Sequence, residues 1–148
     1  MVDTDWGIED PLQRGDSARA VTLPAPKGPN SIVRHVLQVD DNRSPYLSTT
    51  ERISEAKRWA GKSGAVWRTF VAQIKSAELR WISRAELLEM LRAGTDAAVV
   101  WPRRSDLLAA QQYVEESAEH LIDFRSLTDQ SSESVRAVVG NLFSKDAL

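Results

Sequence analysis

Pro45-Tyr46-Leu47-Ser48-Thr49-Thr50-Glu51-Arg52-Ile53-Ser54-Glu55-Ala56 decides how the rest of the chain is read. Tyr46-Leu47 has the character of a short strand, and a run of hydroxyl residues follows it. Thr50 then stands before Glu51 to Ala56, where a hydroxyl cap and an acidic first turn announce a helix that Gly61 and Gly64 stop. A strand giving way to a helix gathers unpaired backbone donors and the positive end of a helix dipole at one point. Taken alone, hydroxyls at such a junction cap the helix, and Thr49 or Thr50 would be explained without a ligand.

Upstream, Ile32-Val33-Arg34-His35-Val36-Leu37-Gln38-Val39 is rich in β-formers and ends at Asp40-Asp41-Asn42, so it is expected to be the first strand and its turn. Arg34 lies mid-strand in that reading, an awkward place for a permanent charge unless it faces a carboxylate or a phosphate. A salt bridge across the strand face would satisfy it equally well. Residues 1–30 hold Pro11, Pro24, Pro26 and Pro29 without either hydrophobic period and are expected to be an extended or disordered lead-in. The folded domain, 31–148, should then begin near Ser31.

Downstream, Ala65 to Ile74 alternates well enough for one long half-buried strand, which includes Trp67. From Ser83 to Arg92 the leucines and Met90 fall at helical spacing, with Glu86 completing a capping box and Gly94 ending the helix. Ala97 to Trp101 reads as a short strand, and a helix over Leu107, Leu108, Gln111 and Val114 follows. A strand over Ala118 to Phe124 and an amphipathic helix through Val135, Val138, Val139, Leu142 and Phe143 complete the chain. Irregular alternation of strands and helices predicts an α+β fold rather than a doubly wound one.

Gross composition narrows the function classes. A chain of 148 residues with 42% hydrophobic content suits one domain with a real core. Interleaved acids and bases give a formal charge of −2, so no basic stripe advertises nucleic-acid binding. The absence of cysteine rules out disulfides, thiolate metal sites and cysteine nucleophiles. No apolar run is long enough to span a bilayer and the start lacks a signal-peptide pattern, so a cytoplasmic protein, or one delivered without a secretory signal, is expected. Ala60-Gly61-Lys62-Ser63 lacks the upstream glycine of a phosphate loop and ends a helix instead of starting one. His35 and His120 lack ligand spacing, and no metal is expected.

Arg34, Ser48-Thr49-Thr50 and Glu119 occur in the order found in ADP-ribosyltransferases of the Arg–Ser–Glu class, and the chain resembles that family from residue 32 to about 139. The likeness runs through Tyr46 to Thr50, Ala56 and Ala60 of the following helix, the Gly64-Ala65-Val66-Trp67 strand, and Ser117 to Ile122. It implies an α+β, split-sheet core with flanking helices and NAD as substrate. By the same resemblance Arg34 would hold the NAD phosphates or ribose, Ser48 would bond the glutamate, and Thr49 and Thr50 would shape the nicotinamide wall. Tyr46 and Trp67 would be aromatic neighbours of the nicotinamide. Glu119, preferred to Glu115 and Glu116, would bind the ribose 2′-hydroxyl and stabilise the oxocarbenium ion.

The implied activity is mono-ADP-ribosyl transfer to a macromolecule, a protein sooner than a nucleic acid, by a toxin or effector for which a cognate inhibitor or immunity protein is conceivable. NAD glycohydrolysis and a silent binding or inhibitory module of the same fold are the alternatives. Ser117 stands where arginine-modifying members carry Gln or Glu, so arginine is not the expected acceptor. A second class of the family uses a first-strand histidine and a tyrosine, for which His35 and Tyr46 are available. Since side chains alternate along a strand, only Arg34 or His35 could face the pocket, and Ser48-Thr49-Thr50 favours Arg34.

Overall fold

The computed structural model describes residues 11–16, 23–26, 31–37, 44–96, 99–100 and 104–145. Its frame is an α+β arrangement around a six-stranded sheet in the order β4-β7-β2-β1-β3-β8, with every pairing antiparallel. The strands are β1 (Pro11–Asp16), β2 (Tyr46–Thr50), β3 (Ala65–Phe70), β4 (Arg80–Ile82), β7 (Glu119–Asp123) and β8 (Ser144–Lys145); β5 (Thr95–Asp96) and β6 (Val99–Val100) form a separate pair. The helices are α1 (Ile32–Val36), α2 (Ile53–Ala60), α3 (Val71–Ser76), α4 (Arg84–Ala93), α5 (Arg104–Ser117) and α6 (Ser132–Leu142).

Two expectations fail at the N-terminal end. Pro11–Asp16, expected in a lead-in, is an inner strand between β2 and β3, so the fold takes in residues well ahead of Ser31. Its sequence, Pro-Leu-Gln-Arg-Gly-Asp, hides this because Gln13 and Arg14 are polar yet buried, and a proline at a strand's first position is tolerated. Gly15 makes the close packing of α2 possible: a Cβ there would lie 2.0 Å from the Ala56 carbonyl oxygen and 2.7 Å from the Ala60 amide. Ala56 and Ala60 present equally small surfaces and cluster with Val66.

Ile32–Val36, expected as the first strand, is a short helix instead. Helical spacing lets Ile32, Val33 and Val36 bury together against Leu107, Ala110 and Val114 of α5, and that packing outweighs the modest β-preference of the branched residues. The long strand expected through Ile74 also ends early, at Phe70. The Gln73 side-chain oxygen accepts from the Phe70 amide at 3.1 Å and from the Thr69 hydroxyl at 3.2 Å, which turns the chain into α3. Ala97, Ala98 and Trp101–Arg103 fall outside the described residues, so the expected strand there is seen only at Val99–Val100.

The sheet is covered on both sides. Tyr46 and Leu121 pack with α1, α4 and α5 on one face, while Leu12, Leu47 and Ile122 pack with α3 and α6 on the other. Register assigns the polar residues. Gln13 pairs Thr50, Thr50 pairs Glu119 and Ser48 pairs Leu121, so Gln13, Ser48, Thr50 and Glu119 share the first face.

Candidate functional site

The three hydroxyls of β2 all turn toward the segment 117–120. Ser48 Oγ donates to Glu119 Oε2 at 2.7 Å, Thr49 Oγ1 to the His120 carbonyl at 3.0 Å, and Thr50 Oγ1 to the Ser117 carbonyl at 2.5 Å. None of them caps α2 from the N-cap position, which belongs to Arg52 and has no side-chain cap bond. Thr50 instead accepts from the Arg52 amide at 3.1 Å while holding Ser117. The motif thus fixes one strand to the start of the next and delivers Glu119 beside Ser48.

His35, on α1, completes the group. Its Nε2 lies 2.7 Å from Ser48 Oγ, and its Nδ1 is hydrogen-bonded to Ser44 Oγ, which accepts from the Tyr46 amide at 3.3 Å. When Glu119 is ionised, Ser48 gives it its one proton, so in a neutral ring Nε2 carries the proton and Nδ1 takes that of Ser44. Donation therefore runs one way, from Ser44 through His35 and Ser48 to Glu119. The Tyr46 ring stands edge-on to the imidazole with centroids 5.8 Å apart.

Electrostatics agree with this direction. Burial lowers the His35 pKa to about 4, which keeps the ring neutral near pH 7. Glu119 is only 1% exposed; burial raises its pKa to about 7, and the Ser48 hydrogen bond acts in the opposite sense. Its second oxygen, Oε1, has no hydrogen-bond partner among the described residues, and neither has Oε1 of Gln13 on the same sheet face. Two buried acceptors thus stand in one cross-strand row. A ligand that brings hydroxyl or amide donors would satisfy them.

The other expected site residues are dispersed. Arg34 lies on α1, not on a strand, and its side chain is outside the described part of the structure. Strand alternation therefore cannot choose between it and His35. Trp67 pairs with Arg14 and packs near Leu12 and Leu47 on the opposite face, away from Ser48. Thr49 faces that side too, whereas Tyr46 lies beside His35 on the Ser48 face.

Sequence reasoning missed Arg14, the arginine carried by the observed first strand. Arg14 is 5% exposed, and its guanidinium lies 4.5 Å from the Phe143 ring centre and 5.5 Å from that of Trp67, on the face remote from Glu119. The signal available for Arg14 was its place before Gly15, a residue that a close helix crossing requires.

A cleft of about 540 Å³ between α3 and α6, lined by Ala72, Gln73, Val138 and Leu142, contains none of the site residues. Among the described residues no cluster could hold a metal ion, and no helix is long and apolar enough to cross a membrane. No known protein family, no curated protein and no solved structure matches the chain.

Proposed function

We propose that the site belongs to the class that cleaves an N-glycosidic bond with a buried carboxylate, and specifically that the chain is a mono-ADP-ribosyltransferase acting on NAD. The observation that carries this reading is the Ser48–Glu119 hydrogen bond at 2.7 Å, made by the serine and glutamate that the resemblance pairs. Glu119 keeps Oε1 available for a ribose hydroxyl, and its charge would sit beside the anomeric carbon as nicotinamide leaves. A raised pKa of about 7 leaves roughly half of the carboxyl ionised near neutrality. The acceptor would be a macromolecule, a protein in the first instance, or water if the enzyme is a glycohydrolase. An effector or toxin role, with an inhibitor protein to match, follows only from the resemblance.

The site as described combines elements of both family classes. Ser48 belongs to the Arg–Ser–Glu pattern, while His35 and Tyr46 are the residue types of the other. The split-sheet ADP-ribosyltransferase architecture is part of the same proposal and is supported by the β2–β7 pairing that brings Ser48 to Glu119.

One observation favours a silent binding module. Glu119 is covered, and the first-strand Arg14 is held on the far face, so substrate entry would have to displace part of the cover. Incubation with NAD separates the two. Nicotinamide release by the wild type that disappears in Glu119→Gln supports the enzyme, whereas no release with or without candidate acceptor proteins leaves the silent module.

A further inference from the structure

His35 has both ring nitrogens engaged, so it offers no ring donor or acceptor to a ligand. Its role in the site must pass through Ser48. The ring is held firmly enough for that. Ile32, Val33 and Val36, at 1%, 0% and 1% exposure, anchor α1, and the His35 amide donates to the Ser31 carbonyl at 3.0 Å. With the ring proton on Nε2, Nδ1 is an acceptor for the Ser44 hydroxyl, whose oxygen also accepts from the Tyr46 amide, a pairing that favours this tautomer.

We propose that His35 is a positioning residue: its Nε2–H, given to Ser48 Oγ, leaves the serine proton one direction, toward Glu119, and so keeps that carboxylate ionised and aimed. The proposal rests on the reading of Ser48 and Glu119 as the reactive pair. Without the imidazole donor, the Ser48 hydroxyl is free to rotate to another acceptor. Burial then acts on Glu119 without that opposing bond, because among the described residues burial and the Ser48 hydrogen bond are the causes that shift its ionisation. Among the described residues, the charged side chains beside β7 are engaged with one another. Glu51 and Arg84 meet at His120, and Asp123 binds Arg125 at 2.7 Å.

The test compares full-length wild type, His35→Phe and His35→Gln in two measurements. The first is the Glu119 carboxyl titration by carbon NMR with labelled glutamate, and the second is nicotinamide release from NAD across pH. His35→Phe should move the Glu119 midpoint from about 7 to about 8. Release at pH 7 should then fall about fivefold with KM for NAD unchanged and return close to wild type by about pH 9, since only the ionised fraction has changed. His35→Gln, whose amide can donate to Ser48, should restore the wild-type midpoint.

A folded His35→Phe protein with an unmoved Glu119 midpoint, or with an equal loss of rate at every pH, overturns the proposal. Should that variant fail to fold, Ser44→Ala frees the ring to adopt the other tautomer and must also raise the midpoint, or the proposal falls. If wild type releases no nicotinamide, the function proposed above fails, while the titration still decides the role of His35.

Discussion

Glu119 and His120 are consecutive residues of β7 that face opposite sides of one sheet, and each sits in a buried histidine–carboxylate cluster built on a different plan. On the His120 side, Nε2 bonds Glu51 Oε1 at 2.7 Å, and Nδ1 accepts from the Trp81 indole at 3.1 Å and the Arg84 amide at 3.3 Å. The Arg84 guanidinium nitrogen Nε lies 3.4 Å from the same Glu51 oxygen. On the Glu119 side a serine separates histidine from carboxylate, and among the described residues no cation is paired with the carboxylate. The first cluster closes on itself and ties α4 to the end of β2. The second leaves an acid whose pKa is raised to about 7, with one oxygen that has no hydrogen-bond partner among the described residues. An uncompensated buried charge is costly to keep and is therefore the better sign of chemistry.

The sharpest way to break that contrast is to remove each carboxylate. Glu119→Gln should lower nicotinamide release at least about a hundredfold, the scale of a lost electrostatic stabiliser, and should leave thermal stability at pH 8 equal to wild type or higher. Glu51→Gln should do the reverse, lowering Tm while turnover stays within about twofold. Comparable losses of turnover in both variants would erase the distinction.

Stability against pH probes the same contrast without substrate. The folded-state pKa of Glu119 is raised from 4.5 to about 7, so the native state holds a proton the unfolded chain has released, and its contribution falls as pH rises through that interval. The His35 value is lowered from 6.5 to about 4, so its contribution rises with pH between those limits. In wild type the two oppose each other. Glu119→Gln removes the falling part, and urea denaturation should show it gaining, relative to wild type, on the order of 3 kcal/mol between pH 4.5 and 7. His35→Phe should lose stability relative to wild type over the corresponding range, and parallel profiles for all three proteins would show that neither group is perturbed.

Local chemistry made part of this legible. Ser83 accepts from the Glu86 amide at 3.2 Å and Gly94 closes α4 in the left-handed region at φ +75°, whereas the expected capping box forms only by half, because the Glu86 carboxylate pairs with Arg80. Ser48 and Glu119 are neighbours although 71 positions apart in sequence. No hydrophobic period brings residues so far apart together; only the resemblance places them as a pair.

What could not be read depends on tertiary packing. Pro11–Asp16 carries no alternation because Gln13 and Arg14 are buried polar residues inside the sheet. Ile32–Val36 has β-forming side chains that α5 draws into a helix. His35 is legible in the sequence only as the alternative to Arg34 for that reason, since its partners Ser44 and Ser48 are chosen by the angle of α1 and not by strand alternation.

In the His120 cluster, His120→Phe should cost about 3 kcal/mol in urea denaturation, because Trp81 Nε1–H, the Arg84 amide and Glu51 each lose a partner in a buried setting. Turnover should follow only the folded fraction. A loss of nicotinamide release in the fully folded variant would mean that the two clusters are coupled through β7.

The smallest effect is expected where the two clusters meet the end of α5. Ala118 adopts φ +48°, an uncommon value for a residue with a Cβ, immediately before Glu119. Its carbonyl accepts from the Glu51 amide at 3.2 Å, and the neighbouring Ser117 carbonyl is held by Thr50. The turn is thus clamped from β2 on both sides and does not need the methyl group to keep its shape. Ala118→Gly relieves about 1 kcal/mol of left-handed strain and gives back most of it through the lost buried methyl and a more flexible unfolded chain. Tm should rise by no more than about 2 °C, with nicotinamide release unchanged. A marked fall in release at unchanged Tm would instead mean that the Ala118 backbone, and not the Thr50 and Glu51 clamps, aims the Glu119 carboxylate.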